Sequence, residues 1–310
     1  MIFNTFYVWY NAKKEVIPMD METLENFLVI ARENNVTRAA QIIHITQPTL
    51  SRQLKALEEE LGRPLFYREN RRLSLTPEGI LFRKRAEELL ELYRKTRSEI
   101  RSSAEIAGDI YLGTGETDVI RLISQVAVGF SRQHPGIRYR IFSSDAEGVR
   151  ERLNKGLLDL GLVYGPSDPE KFESVPLDQE DRWGILLPRT HPLAAEPSLS
   201  PEQVRDLPLI LSQQALKSGM LQTWLGKPVE ELNIIGTYTL LTNAAKMVAG
   251  GLGCAMGFDG LINTIGSPLC FRPCNPPLTD QLSLIWKKDH QFSPAVQAFQ
   301  ELLLQNFAEK

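Results

Sequence analysis

Cysteine and histidine are scarce in this chain of 310 residues, which has three of the first and four of the second. Cys254, Cys270 and Cys274 are odd in number and too few for a disulfide framework at this length, which points to a reducing compartment. Cys270 and Cys274 have no histidine or further cysteine beside them, so no metal site is expected there. His44, His134, His191 and His290 are scattered, without the spacing of a metalloprotease helix. A P-loop and a nucleophile elbow are both missing, and Gly113-x-Gly115 and Gly251-x-Gly253 lack the third glycine of a dinucleotide fingerprint. Neither an enzyme nor a resident cofactor is therefore expected. No apolar run approaches the roughly 18 residues of a membrane helix, and the first charges follow the apolar opening instead of preceding it, the reverse of an export signal. The expectation is a cytoplasmic protein with no membrane partner.

What is present is an ordinary globular composition, 43% hydrophobic and 24% charged, in a chain long enough for two or three domains. The net charge of −3 hides an asymmetry. Residues 36–85 hold ten Lys and Arg against five acids, a net +5, whereas residues 104–310 sum to −6. A basic segment beside an acidic remainder suits one module that meets phosphates and another that does not.

Residues 1–18 are aromatic-rich and without a clean period, and they end at Pro18, just before Met19 and Met21. We read residues 1–20 as an extension and expect translation to begin at Met19 or Met21. From Leu24 the residues Leu24, Phe27, Leu28 and Ala31 fall at helical spacing, and Asn34-Asn35 stops that helix and caps the next. The second helix turns Val36, Ala39, Ala40 and Ile43 inward. Thr46 caps a third helix, with Pro48 in its first turn and Gly62 at its end. This is the layout of a helix-turn-helix, with His44 falling in its short first helix. Gln47, Pro48, Thr49, Ser51, Arg52 and Gln53 crowd the start of the third helix, where a recognition helix enters the major groove, while Leu50, Leu54 and Leu57 form its buried face. A hairpin about Arg68–Arg72 reads as a wing. Thr76-Pro77-Glu78 then opens a long helix whose Ile80, Leu81, Ala86, Leu89, Leu90 and Tyr93 suit burial against a second copy.

The run Arg38-Ala39-Ala40, Thr46-Gln47-Pro48, Ser51-Arg52-Gln53, Leu57-Glu58, Leu61-Gly62, Leu65-Phe66 and Leu75-Thr76-Pro77-Glu78-Gly79 resembles the winged helix-turn-helix of the LysR family of regulators. The resemblance implies that Arg38, Gln47, Pro48, Thr49, Ser51, Arg52 and Gln53 contact operator DNA. It further implies that Arg71 reaches from the wing toward the minor groove and that Thr76 touches the backbone.

After Gly108 the texture becomes β-α-β-α-β, the pattern of a mostly parallel sheet whose ligands bind at the carboxyl ends of the strands. Those ends are Thr114–Thr117, Ser143-Ser144 and Tyr164-Gly165. A second unit beginning near Trp183 repeats the logic, with Thr242-Asn243 expected to cap a helix. This half is similar to the LysR effector domain, which resembles two-lobed periplasmic solute-binding proteins. The similarity implies a small-molecule effector bound by Gly115, Glu116, Thr117, Ser143, Ser144, Ser212, Thr242 and Asn243. Hydroxyls and helix N-termini suit a carboxylate, whereas Glu116 could select an amine or zwitterion.

The expected architecture is thus an α-rich winged helix-turn-helix over 21–79 and a linker, dimerisation helix over 80–107. An α/β two-lobed effector domain follows over 108–310, lobe I being about 108–165 and 268–310 and lobe II about 166–267. The expected function is sequence-specific operator binding modulated by an effector, as a homodimer or homotetramer that influences RNA polymerase. A solute-binding protein without a regulatory role is the alternative that the second half alone would permit, and the basic head argues against it. If translation starts where the sequence suggests, the intact mass of the native protein will match a chain beginning at Met19 or Met21, and the mass of the 310-residue chain would refute it.

Overall fold

The computed structural model describes residues 19–69, 72–101 and 106–307. The chain divides into two compact units that part between Arg97 and Ser98.

The first unit opens with α1 (Met21–Glu33), whose N-terminus is closed by the Asp20 carboxylate accepting from Thr23 N at 2.8 Å. Asn34 ends it in the left-handed region (φ 49°), and the next residue caps α2 (Val36–Ile42) by accepting from Arg38 N. Two adjacent asparagines therefore stop one helix and start another, the first by adopting the left-handed region and the second by capping with its side-chain oxygen. His44 lies after α2, not in it, at φ 58° in the turn. Helical periodicity could not reveal that departure, because the turn residues Ile43 and Ile45 continue the apolar pattern. α3 (Gln47–Leu61) starts at the Thr46 cap and stops at Gly62, whose φ of 67° costs a glycine little.

Leu24, Phe27, Ile30, Ala39, Ala40, Leu50, Leu54 and Leu57 form one core, joined by Leu65 and Phe66. The paired alanines are fully buried, and their small size lets α2 cross its neighbours closely. β1 (Phe66–Glu69) and β2 (Arg72–Leu75) form the expected antiparallel hairpin, Glu69 opposite Arg72. α4 (Pro77–Arg101) follows. Its apolar residues divide between two faces. Ala86 and Leu90 are buried in the head, where Phe82 packs edge-on to Phe27, whereas Ile80, Leu81, Leu89, Leu92 and Tyr93 are exposed. Arg94 pairs with Glu25 of α1 at 2.8 Å.

In the second unit β3 (Gly108–Thr114), α5 (Ile120–Gln133), β4 (Ile137–Ser143), α6 (Ala146–Asn154) and β5 (Leu160–Tyr164) form the expected parallel set, with β3 between the other two strands. β6 (Phe172–Pro188) is 17 residues long and serves both lobes. Its first part, up to Arg182, pairs with β11 (Thr279–Lys287); its last part, from Trp183, pairs with β9 (Cys254–Phe258) and β10 (Leu269–Pro273). Its burial alternates along the first part and becomes continuous along the second, the signatures of a strand covered on one face and then on both. Between them lie α7 (Pro201–Val204), β7 (Leu209–Ser212), α8 (Gln213–Ser218), α9 (Met220–Leu225), β8 (Ile234–Tyr238) and α10 (Leu241–Ala249). β7 runs parallel to both β8 and β9.

The lobe boundaries read from sequence therefore shift. β10 belongs with the second lobe, so the return falls between Pro273 and Thr279 instead of near 268, and the outward crossing falls within β6 instead of at 166. α11 (Pro294–Phe307) closes the first lobe, Phe299 stacking on Phe130 and Tyr139.

Gly79 marks the tightest point of the head. A Cβ there would lie 2.0 Å from the Leu65 carbonyl oxygen, which also accepts from Thr76 N. Gly79→Ala should destabilise the head by about 3 kcal/mol or more, since the obstacle is backbone. Amide hydrogen exchange should show lost protection across residues 21–97 with the second unit unchanged; unchanged protection in the head would contradict this packing.

Candidate nucleic-acid interface and ligand cleft

Cap geometry positions the exposed start of α3. Thr46 Oγ1 accepts from Thr49 N and shares a 2.8 Å hydrogen bond with the Thr49 hydroxyl. Gln47, Pro48 and Arg52 are exposed, while Thr49 and Ser51 are half-buried. Gln47 Nε2 donates to Ser51 Oγ at 2.7 Å, and Arg52 Nε donates to the Pro48 carbonyl at 3.4 Å. A polar, cationic surface one helical turn long thus stands on a leucine face that fixes its orientation. Arg38 is exposed and pairs with Glu33 at 2.9 Å. Gln53 turns toward the head, its Oε1 accepting from buried Asn26 Nδ2 at 3.0 Å. Arg71 lies outside the described residues.

Thr76 departs from its expected role at the backbone of DNA. It is buried, donates to Pro64 O at 2.8 Å and accepts from Gly79 N at 2.9 Å. Its hydroxyl is consumed in starting α4. Glu58, quoted above only within a motif, is the side chain that fastens the wing to α3: Leu65 N and Phe66 N donate to one of its oxygens, and Arg68 pairs with the other.

In the second unit a cavity of about 420 Å³ opens where the strands of the two lobes end. Gly115, Glu116, Ser143, Ser144 and Ser212 line it together, as five of the eight residues named from sequence. The other three do not. Thr117 is buried, and its hydroxyl donates to Asp181 Oδ2 at 2.5 Å. Thr242 and Asn243 lie inside α10, exposed and outside the cavity lining, because the helix begins one residue earlier with Leu240 as a cap that has no side-chain acceptor. The acceptor comes from the facing lobe, where Glu116 Oε2 takes the Leu241 N–H at 2.7 Å. Burial raises the Glu116 carboxyl above its ordinary range, and that N–H partly offsets the effect.

The cavity has aromatic walls, of which the sequence pointed only to Tyr164, as a strand end. Tyr164, Trp183, Tyr238 and Phe258 bring aromatic faces, with Phe258 4.9 Å from Tyr164 and 4.2 Å from Trp183 between ring centroids. Asp280 of β11 adds a carboxylate. It shares alternation parity with buried Leu282 and Leu284, and an acid in an inward register was the legible signal. Asp280 lies opposite Asp181 on β6. Asp181 is buried but well served, accepting from Tyr164 OH, Thr117 Oγ1 and Asp118 N. Asp280 has no hydrogen-bond or ion-pair partner among the described residues, and burial with the neighbouring Asp181 charge pushes it up to about 6. The three cysteines are buried, and burial raises the Cys254 and Cys274 thiols to about 11 and about 12, which leaves them unreactive.

Because ionisation of Asp280 is penalised in the fold, its stability cost is absent below about pH 3 and complete above about pH 7. Asp280→Asn should therefore stabilise the second unit by about 1–2 kcal/mol at pH 8, allowing for partial exposure, and by only a small fraction of that at pH 4. Urea unfolding followed by the fluorescence of Trp183, Trp224 and Trp286 reads this directly; a loss of stability at pH 8 would contradict it.

The family model of the bacterial regulatory helix-turn-helix protein, lysR family, matches residues 21–80, and that of the LysR substrate binding domain matches residues 103–308. The uncharacterized HTH-type transcriptional regulator YybE of Bacillus subtilis is 30% identical over 302 residues, covering 94% of this chain and 100% of YybE. The Hca operon transcriptional activator HcaR of Escherichia coli is 27% identical, covering 94% of this chain and 99% of HcaR. The crystal structure of CbnR, a LysR family transcriptional regulator, shares the fold with a TM-score of 0.77 at 20% identity, over 94% of this chain and 100% of CbnR. No described helix is long and apolar enough to cross a membrane. The two family matches fall in the order and at the places where the two units lie, and the chain therefore belongs to the LysR family of DNA-binding transcriptional regulators.

Proposed function

We propose that the start of α3 reads operator DNA through Gln47, Pro48, Thr49, Ser51 and Arg52, with Arg38 on a phosphate and Gln53 holding the helix in register from behind. The observation that carries this is the exposed polar turn at the head of α3, built on a buried Leu50-Leu54-Leu57 face. Amide and guanidinium groups at that point have the donor and acceptor pattern that discriminates base edges in the major groove. Arg71 is assigned to the wing tip on the family resemblance alone. Thr76 acts through the start of α4, not through DNA.

The exposed Leu81, Leu89, Leu92 and Tyr93 on α4 support pairing of two copies, which would set two heads at the half-sites of a pseudo-palindrome. Further association of the effector halves into a tetramer is consistent with the family. The cleft between the lobes of the second unit is the effector site, with Gly115, Glu116, Ser143, Ser144 and Ser212 among its walls. Binding there shifts the closure of the lobes and, through the assembly, the spacing of the heads and the access of RNA polymerase. This role needs no enzymatic chemistry and no resident cofactor, and it suits a reducing, cytoplasmic setting.

Arg52→Ala should weaken binding to the DNA upstream of its own gene by about 1–3 kcal/mol, with much less effect on random DNA. Gel-shift titration at two salt concentrations measures both, and equal loss on the two DNAs would rule out base readout by Arg52.

A further inference from the structure

The charge of the cleft is one-sided. Its lining includes Glu116, Asp145 and Asp280, and no lysine, arginine or histidine among the described residues. Arg150 is the basic side chain of α6 nearest in sequence to that wall, and it turns to the protein instead, donating to the Tyr164 and Gly165 carbonyls and to Ser167 Oγ. Arg150 partly offsets the Asp145 charge, but an anion entering this space would still face the Glu116 and Asp280 carboxylates without a cation in the lining, where the dielectric is lower than in water.

The places where an anion would otherwise settle are already taken. Helix N-termini attract carboxylates through their free N–H groups. At α6 the Asp145 carboxylate accepts from Gly148 N at 2.9 Å, at α8 the Ser212 hydroxyl accepts from Ala215 N at 3.0 Å, and at α10 Glu116 accepts from Leu241 N at 2.7 Å. Two of these three caps are themselves anionic.

The opposite charge finds a prepared site. The Asp280 carboxylate faces the cavity without a partner among the described residues, and Tyr164, Trp183 and Phe258 form a contiguous aromatic wall in the same cavity. Aromatic faces attract organic cations, and desolvation strengthens that attraction. A cavity of about 420 Å³ is of the size that encloses a small organic molecule.

We propose that the effector of this regulator is a small organic cation, an ammonium group on an apolar body, held by Asp280 and Glu116 against the rings of Tyr164, Trp183 and Phe258. This rests on the cleft being the effector site. Asp280 and Glu116 set the sign of the ligand charge, and the rings set the preference for an apolar body over a bare amine.

The test is calorimetric titration of the full chain with three matched probes: benzyltrimethylammonium, benzyl alcohol and benzoate. The cationic probe should bind at least tenfold more tightly than either of the others. Asp280→Asn, with its fold checked by circular dichroism, should weaken the cation at least tenfold and leave benzyl alcohol within twofold. If benzoate binds best, and better still to Asp280→Asn, the cleft remains the effector site and the assignment of a cation is overturned. Binding of the cation that neither Asp280→Asn nor Glu116→Gln weakens places it elsewhere and likewise overturns the proposal, as does failure of the cation to bind. Gel shifts on the same preparation keep the regulatory reading separate from all of these outcomes.

Discussion

The antiparallel ladder between β6 and β11 is the interaction on which the ligand-binding half depends. β6 runs through the junction of the lobes and β11 starts at it, and their pairing extends from Phe172 opposite Lys287 to Arg182 opposite Thr279. Past that point β6 continues into the second lobe and takes β9 and β10 as partners. One strand thus serves two lobes, and the cavity lies where its partners change. Trp183 and Asp280 line the cavity at that crossing with Asp181 opposite Asp280, and Trp183 also packs into the core that runs through both lobes.

The ladder also imposes an electrostatic constraint. Asp181 and Asp280 stand directly opposite each other, where like charges repel. The structure resolves the conflict unevenly. Asp181 receives Tyr164, Thr117 and the Asp118 N–H, and it thereby fixes the loop after β3 that carries Glu116. Asp280 receives nothing comparable among the described residues and faces the cavity. Its ionisation is therefore penalised by burial and by the Asp181 charge. The head shows the same economy in reverse. Glu58 and Thr76 spend their hydrogen bonds inside the fold, whereas Gln47 and Arg52 at the start of α3 stand exposed.

Much of this was legible before any coordinates. Caps made of Asn34, Asn35, Thr46 and Gly62 punctuate the head so strongly that its helices could be read residue by residue, because each cap acts on backbone groups within three or four positions. The parallel β-α-β-α-β order was equally plain, as were the strand ends at Gly115, Glu116, Ser143, Ser144 and Ser212. The failures share one cause. Thr76 and Thr117 look like surface hydroxyls until the partners that bury them, Pro64 and Asp181, are known. Thr242 looks like a cap until Glu116, 125 residues away, is seen to cap the helix instead.

Short-range periodicity, local capping and summed charge suffice to reveal the family resemblance, the helix-turn-helix, the basic head and the alternation of strands and helices. Where the lobes part, which hydroxyls are spent and what sign of charge the cleft presents emerge on folding. Those depend on strands brought together across about a hundred residues of chain, and on desolvation, which a carboxylate acquires from its surroundings and not from its neighbours in sequence.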